Sequence, residues 1–249
     1  MKKILLFDVD GTLTEPRKKI EYKTIKAIRR LKKVENVKIG IVGGSNLEKQ
    51  LEQLGQEILN LFDYVFSENG LVSFKNNELI NKTSIAEHLG ENNIKILINT
   101  AMYYMSTIDI PVKRGNFIEF RNGMINLSPV GRSCSQEERE QFYEYDKIHK
   151  VRENMIVYLK DKLKNLHLAF SIGGQISIDV YPKGWDKTYC LKFIENDFDK
   201  IYFYGDRTME GGNDYEIFSD SRTISHTVTG PVDTISKIDK FISDNRHDL

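Results

Sequence analysis

The chain is short of cysteine and histidine and has no excess of either charge. Two cysteines in 249 residues, Cys134 and Cys190, cannot build a disulfide framework, so a reduced, cytoplasmic protein is expected. Five histidines, His88, His149, His167, His226 and His247, show no paired ligand spacing, which argues against zinc. Lysine plus arginine total 36, and aspartate plus glutamate total 36. Without net charge there is no long-range field to steer nucleic acid or an anionic membrane, and neither partner is expected. Long apolar runs are also missing. No stretch approaches the roughly 20 apolar residues of a membrane span. The four apolar residues 4–7 after Met1-Lys2-Lys3 are too few for a signal peptide.

What is present is 40% hydrophobic residues, enough for a core in one or two domains. Residues 4–9 read as a strand buried on both faces of a parallel sheet. Tyr22, Ile25, Ile28 and Leu31 predict an amphipathic helix over 21–33. Residues 37–42 predict a second strand, 46–61 a second helix and 64–67 a third strand. That alternation implies right-handed crossovers and a parallel sheet. After about Thr83 the rhythm changes. A helix is followed by short strands at 117–120 and 124–127, a helix from 135 to about 163, and alternating segments at 168–172 and 177–181. Hairpin-like turns stand at Asn122-Gly123 and Gly173-Gly174. From Lys183 the first rhythm resumes, with a helix over 188–195, strands at 201–204 and near Thr223, and a helix over 232–243. The expectation is an α/β core, residues 1–82 and 183–249, carrying an inserted α+β domain, residues 83–182.

The stretch FDVDGTLT ends the first strand with two carboxylates, Asp8 and Asp10. Ligands of a parallel α/β sheet sit at the carboxyl ends of its strands. Two carboxylates this close repel one another, and a divalent cation with oxygen ligands relieves that repulsion. An N-cap or Asx turn is the plainer reading of such a pair alone. Other strand ends add to it. Gly205-Asp206 closes another apolar strand, and Gly211-Gly212-Asn213-Asp214 follows in the same loop. Lys187, in KGWDK, opens a helix and could neutralise a phosphate. Gly43-Gly44-Ser45 offers backbone N–H groups and a hydroxyl to an anion. It is not a G-x-x-x-x-G-K-[ST] loop, and G-x-G-x-x-G is absent there, so nucleotide folds of those types are disfavoured. Between Arg114 and Arg139 stand four arginines, Arg114, Arg121, Arg132 and Arg139, and no lysine. Only arginine grips phosphate bidentately. The alternative is a set of surface salt bridges with Glu119, Glu137 and Glu138.

D-x-D-G-T, a small hydroxyl residue after the second strand, a lysine and G-D…N-D, in this order, resemble the haloacid dehalogenase (HAD) phosphotransferase superfamily. NGMINLSPVGRSCSQEER, GGQISIDVYPKGWDK, GDRTMEGGNDYEIF and DVDGTLTEPR are similar to the eukaryotic phosphomannomutases, and the similarity covers essentially the whole chain. The resemblance implies a HAD-like Rossmannoid core with an inserted cap of antiparallel sheet and helices. It implies Asp8 as the nucleophile that forms an aspartyl phosphate, Asp10 as general acid/base, and Lys187 as support for nucleophile and phosphate. It implies Mg²⁺ held by Asp8, the Asp10 carbonyl, Asp206 and Asp214. Substrate contacts would come from Arg17, Gly44, Ser45, Arg121, Arg132, Arg139, Ser177 and Asp179. A second metal site near Phe218, Asp220 and Thr223 is also implied, as is a cap-to-cap homodimer.

The activity implied is interconversion of mannose 1-phosphate and mannose 6-phosphate, with a hexose 1,6-bisphosphate as activator and intermediate, supplying mannose 1-phosphate for GDP-mannose synthesis. The rivals are a Mg²⁺-dependent sugar-phosphate phosphatase on the same core, and a non-catalytic sugar-phosphate sensor. A phosphatase needs no second strong phosphate site, and a sensor needs no nucleophile.

Overall fold

The apolar run at the N-terminus becomes β1 (Lys3–Phe7), bonded in parallel to a strand on each side. In this computed structural model, which describes residues 1–245, Leu5 and Phe7 enter one apolar cluster and Ile4 and Leu6 another. Alternate residues of a strand face opposite ways, so a strand covered on both faces is apolar throughout. α1 (Tyr22–Leu31) packs through Thr24, Ala27, Ile28 and Leu31. Tyr22, expected on that face, is exposed: nine residues from Leu31 is two and a half turns, the opposite side of the helix. β2 (Val37–Val42) pairs with β1. The helix expected over 46–61 is interrupted at Gly55 (φ +90°), giving α2 (Leu47–Leu54) and the short α3 (Ile58–Leu61). β3 (Tyr64–Ser67) runs parallel to β2. The hairpin β4 (Val72–Lys75) and β5 (Glu78–Lys82) was not anticipated. Its signal is Asn76-Asn77, both at positive φ as a two-residue hairpin turn requires.

Thr83–Gly184 forms a compact unit of its own. It contains α4 (Ile85–Leu89), α5 (Glu91–Thr107), β6 (Ile118–Phe120), β7 (Ile125–Leu127), α6 (Gln136–His149), α7 (Val151–Lys162), β8 (Leu168–Gly173) and β9 (Ser177–Pro182). The strands make an antiparallel sheet in the order β6-β7-β9-β8. Ile125 opposes Val180 and Leu127 opposes Ile178, all buried, and α7 lies against β8 and β9. The intervening positions Glu119, Asn126, Asp179 and Ser171 stand opposite one another in register, one polar row across the other face. The single helix expected from 135 to 163 is two helices, because Lys150 takes a left-handed conformation (φ +56°). Asp146 stabilises the break: its Oδ1 accepts the Arg152 N–H (2.9 Å) and its Oδ2 accepts Arg152 Nε (2.7 Å).

Trp185 onward rejoins Met1–Lys82 in the other unit. The helix expected over 188–195 is a 3₁₀ helix, Lys187–Phe193, capped by Asp186. Lys187 and Cys190, three residues apart, are both buried, which suits a helix of three residues per turn. Then come β10 (Lys200–Gly205), α8 (Tyr215–Ser219), β11 (Thr223–Thr227) and α9 (Pro231–Asp244). Among the described residues the sheet order is β11-β10-β1-β2-β3-β4-β5, with the first five strands parallel. β1 is therefore the switch point, with β2 on one side and β10 on the other. No helix among the described residues is long and apolar enough to cross a membrane.

The Asp146–Arg152 pair is buried, with side chains 7% and 4% exposed, and Arg152 Nη1 also donates to the Gly174 carbonyl (2.9 Å). Arg152→Met leaves Asp146 buried and unpaired, and is expected to cost about 3–5 kcal/mol of stability. Urea unfolding of the two proteins side by side measures it; a loss under 1 kcal/mol would show that water replaces the guanidinium.

Candidate active site

β1 delivers Asp8, which is 4% exposed and continues the ladder by donating its N–H to the Tyr204 carbonyl (2.9 Å). The chain then turns back at once: Gly11 N–H bonds the Thr14 carbonyl (2.8 Å), with Gly11 at φ +78°. A Cβ at Gly11 would overlap the Asp206 carboxylate, so only glycine lets the two loops meet. Asp206 follows β10, the neighbour of β1, and Asp214 lies in the loop beyond it. Gly205 has a similar role, since a Cβ there would stand 2.6 Å from Asp214 Oδ2.

Lys187 closes the group. Its ammonium is 1% exposed and pairs with Asp8 Oδ1 and, at 2.5 Å, with Asp214 Oδ1. Asp214 Oδ2 accepts the Arg207 N–H (3.0 Å). Burial pushes the Asp8 carboxyl up to about 7, against the pull of the Lys187 ammonium. Burial, then the nearby Asp214, also raises Asp206. Burial alone would lower Lys187, but the Asp8 and Asp214 carboxylates outweigh it and hold the ammonium above its usual range.

Asp8, Asp206 and Asp214 each place a carboxylate oxygen within 4.8 Å of the others. Three carboxylates against one ammonium leave two negative charges unbalanced. Asp206 Oδ1 is buried and has no hydrogen-bond partner among the described residues. A divalent cation fits both deficits, and an all-oxygen donor set suits Mg²⁺ rather than zinc.

Asp10 is turned elsewhere. Its Oδ1 accepts from Gln53 Nε2 (2.6 Å) and from the Arg17 N–H (2.8 Å), while its Oδ2 has no hydrogen-bond partner among the described residues. Gln53, on α2 and 6% exposed, was missed; a glutamine on the buried side of a helix was its only signal. Arg17 is exposed at φ +62°, with no side-chain partner among the described residues. After β2, the Gly44 and Ser45 amides donate to no group among the described residues, while the Ser45 carbonyl accepts the Glu68 N–H (2.9 Å).

In the other unit the polar row gathers Arg121, Arg132, Ser177 and Asp179. Glu119 Oε2 accepts from Arg121 Nη2 (2.7 Å) and forms an ion pair with Arg132, 2.9 Å from its Nε. Arg132 Nη1 donates to Asn126 Oδ1 (2.8 Å) and Ser177 Oγ (3.4 Å), and Asn126 Nδ2 donates to Asp179 Oδ1 (2.6 Å). Asn126, also missed, was legible only as the polar member of the buried strand residues Ile125-Asn126-Leu127. Arg139 is half-buried and bonds no side chain among the described residues. Arg114 pairs with Glu138 at the surface.

The residues of the expected second metal site are engaged with one another and with Arg222. The Asp220 carboxylate grips Arg222 with both oxygens (2.9 and 2.7 Å), and Thr223 Oγ1 bonds the Ile217 carbonyl (2.7 Å). Phe218 packs against the core beside them. Both cysteines are buried and free. His226 stacks on Tyr204 and His149 on Tyr145, and no group of three metal-ligating side chains among the described residues includes a histidine. His247 lies outside the described residues.

Comparison with known proteins adds to this geometry. The profile described as eukaryotic phosphomannomutase matches residues 24–244. A phosphomannomutase of Dendrobium officinale is 57% identical over 231 residues, covering 93% of this chain and 90% of that one. One from Arabidopsis thaliana is 56% identical over 234 residues, covering 94% of each. Among solved structures, a HAD subclass IIB sugar phosphatase superposes with a TM-score of 0.56 at 17% identity, covering 98% of both chains. The fold is thus that of the HAD enzymes.

The raised carboxyls predict a pH dependence. In the metal-free protein the folded state keeps protons on Asp8 that the unfolded chain releases near 3.8. Asp8 therefore stabilises the fold below that pH, and the contribution is lost as pH rises towards about 7. Cation binding needs the same carboxyls ionised. Mg²⁺ is expected to raise the melting temperature clearly at pH 7.5 and barely at pH 5. Equal shifts at both pH values, or no shift in either, would count against the cluster as a cation site.

Proposed function

The chain belongs to the eukaryotic phosphomannomutase family and is an enzyme of that type, and we propose that its two units divide the chemistry between them. In this reading the unit carrying β1 transfers the phosphoryl group, and the inserted unit recognises the phosphate that is not being transferred. The observation that carries it is the pair of arginines, Arg121 and Arg132, gathered by the polar row of the sheet, which a simple phosphatase has no need to build. Arg139, whose side chain has no partner among the described residues, supports the same view.

Asp8 would attack the phosphorus of a hexose 1,6-bisphosphate in line. The phosphorus–oxygen bond to the sugar breaks, and Asp10 gives its proton to the leaving alkoxide. In the second transfer Asp10 takes the proton of a sugar hydroxyl, which attacks the aspartyl phosphate and frees Asp8. Lys187 holds Asp8 in place and offsets charge as it moves to the phosphoryl oxygens. Asp8, Asp206, Asp214 and the Asp10 carbonyl would hold Mg²⁺, which when bound adds positive charge at those oxygens. Gly44 and Ser45 offer unpaired amides to the same group. Arg17 reaches substrate from its loop, while Ser177 and Asp179 would contact the sugar or its second phosphate. Mannose 1-phosphate and mannose 6-phosphate would be the substrate pair, and the protein a cytoplasmic homodimer formed through the inserted unit.

One assay tests the reading. Protein, Mg²⁺, mannose 1-phosphate and trace glucose 1,6-bisphosphate are mixed, and mannose 6-phosphate and inorganic phosphate are both followed. Bisphosphate-dependent mannose 6-phosphate should dominate; dominant inorganic phosphate would make the enzyme chiefly a phosphatase. Asp8→Asn is expected to lower turnover by roughly 10⁴-fold or more. Arg139→Ala should raise KM for mannose 1-phosphate about tenfold or more, the value of a lost charged hydrogen bond. Unchanged KM in that variant would remove Arg139 from the phosphate site.

A further inference from the structure

The inserted unit already contains an anion where its arginines converge. A single oxygen, Glu119 Oε2, lies 2.7 Å from Arg121 Nη2 and 2.9 Å from Arg132 Nε. One oxygen bridging two guanidiniums is how a phosphate oxygen sits between arginines. Hydrogen bonding from Arg121, with the charge of Arg132, keeps the Glu119 carboxyl below its ordinary range, so it is ionised at neutral pH. The side chain is 42% exposed, free to leave for water. Arg132 does not depend on it for its position, since Asn126 Oδ1 and Ser177 Oγ also hold that guanidinium. Arg139 has no internal partner among the described residues to give up.

We propose that Glu119 is an internal competitor for the phosphate site, occupying Arg121 and Arg132 until a dianionic phosphate displaces it. The proposal rests on the arginines being a phosphate site at all. Its consequence is selectivity. A ligand must outbid a carboxylate already in place, so a phosphate dianion binds, while monoanions such as carboxylates or chloride gain nothing by the exchange. The affinity measured is the intrinsic affinity reduced by the fraction of molecules in which Glu119 has let go. Once displaced, Glu119 stands near two negative charges and repels them, so release of the product phosphate is favoured as well.

The test uses the full chain with Mg²⁺. Glu119→Gln keeps the shape and removes the charge. Glu119→Asp keeps the charge but shortens the reach by one methylene. Both are expected to lower KM for mannose 1-phosphate about two- to fivefold, the scale of partly exposed ion pairs. Hydrolysis of p-nitrophenyl phosphate, which carries no second phosphate, should stay within twofold of wild type and reports that each variant is folded. An unchanged or raised KM in Glu119→Gln, with normal p-nitrophenyl phosphate hydrolysis, overturns the proposal and makes Glu119 an anchor for the arginines. Arg132→Ala separates the two layers. If its KM for mannose 1-phosphate matches wild type, the phosphate site itself is rejected, and the competitor with it.

Discussion

The buried ammonium of Lys187 holds the centre of the molecule together. Three aspartates converge at the ends of β1 and β10 and in the loop beyond, and without a cation among them they would drive one another apart or take up protons. Lys187 satisfies Asp8 and Asp214 directly, and leaves Asp206 with an oxygen that nothing fills. The imbalance is specific. One more positive charge from the protein would bring the group closer to neutrality and weaken its demand for a metal. One fewer would make the apo fold costly. The tight 3₁₀ start at Lys187 and the absent side chains at Gly11 and Gly205 serve this packing of charge.

The other unit arranges charge by the same means. There the guanidiniums of Arg121 and Arg132 are held by a carboxylate and an amide from neighbouring strands. Register does the work: Glu119, Asn126 and Asp179 face one another across three strands, so one row of a sheet supplies every acceptor that orients Arg132, apart from the adjoining Ser177. A slip of one residue would turn the whole row into the apolar side.

What could be read in the sequence follows from which interactions are local. The unbroken apolar run at residues 4–7 could only be a strand covered on both faces, and Asp8 had to follow it. Glycines marked where strands ended, so Asp206 and Asp214 stood out beside Gly205 and Gly211-Gly212, and the structure does gather them around Lys187. The failures are those in which a distant or unusual partner decides. Tyr22 has the right residue type for its helix face but the wrong phase. The break at Lys150 carries no glycine or proline, because an aspartate side chain four residues earlier replaces the helical bond. Gln53 and Asn126 are ordinary polar residues until Asp10 and Arg132 are placed beside them, and nothing local encodes that placement. The β4–β5 hairpin was legible in Asn76-Asn77, two residues that tolerate left-handed backbone, and was overlooked.

Lys187 meets Asp8 across 179 residues of chain. On a ribosome, therefore, β1 is made before β10 and waits. Its edge towards β10 stays unpaired while the whole inserted unit, compact in itself, is synthesised and can fold. An apolar strand with a bare edge is the kind of surface on which chains aggregate or chaperones bind. Birth order thus places the most demanding vigil on the segment that bears Asp8, and the carboxylate group stays incomplete until Asp214 has been made.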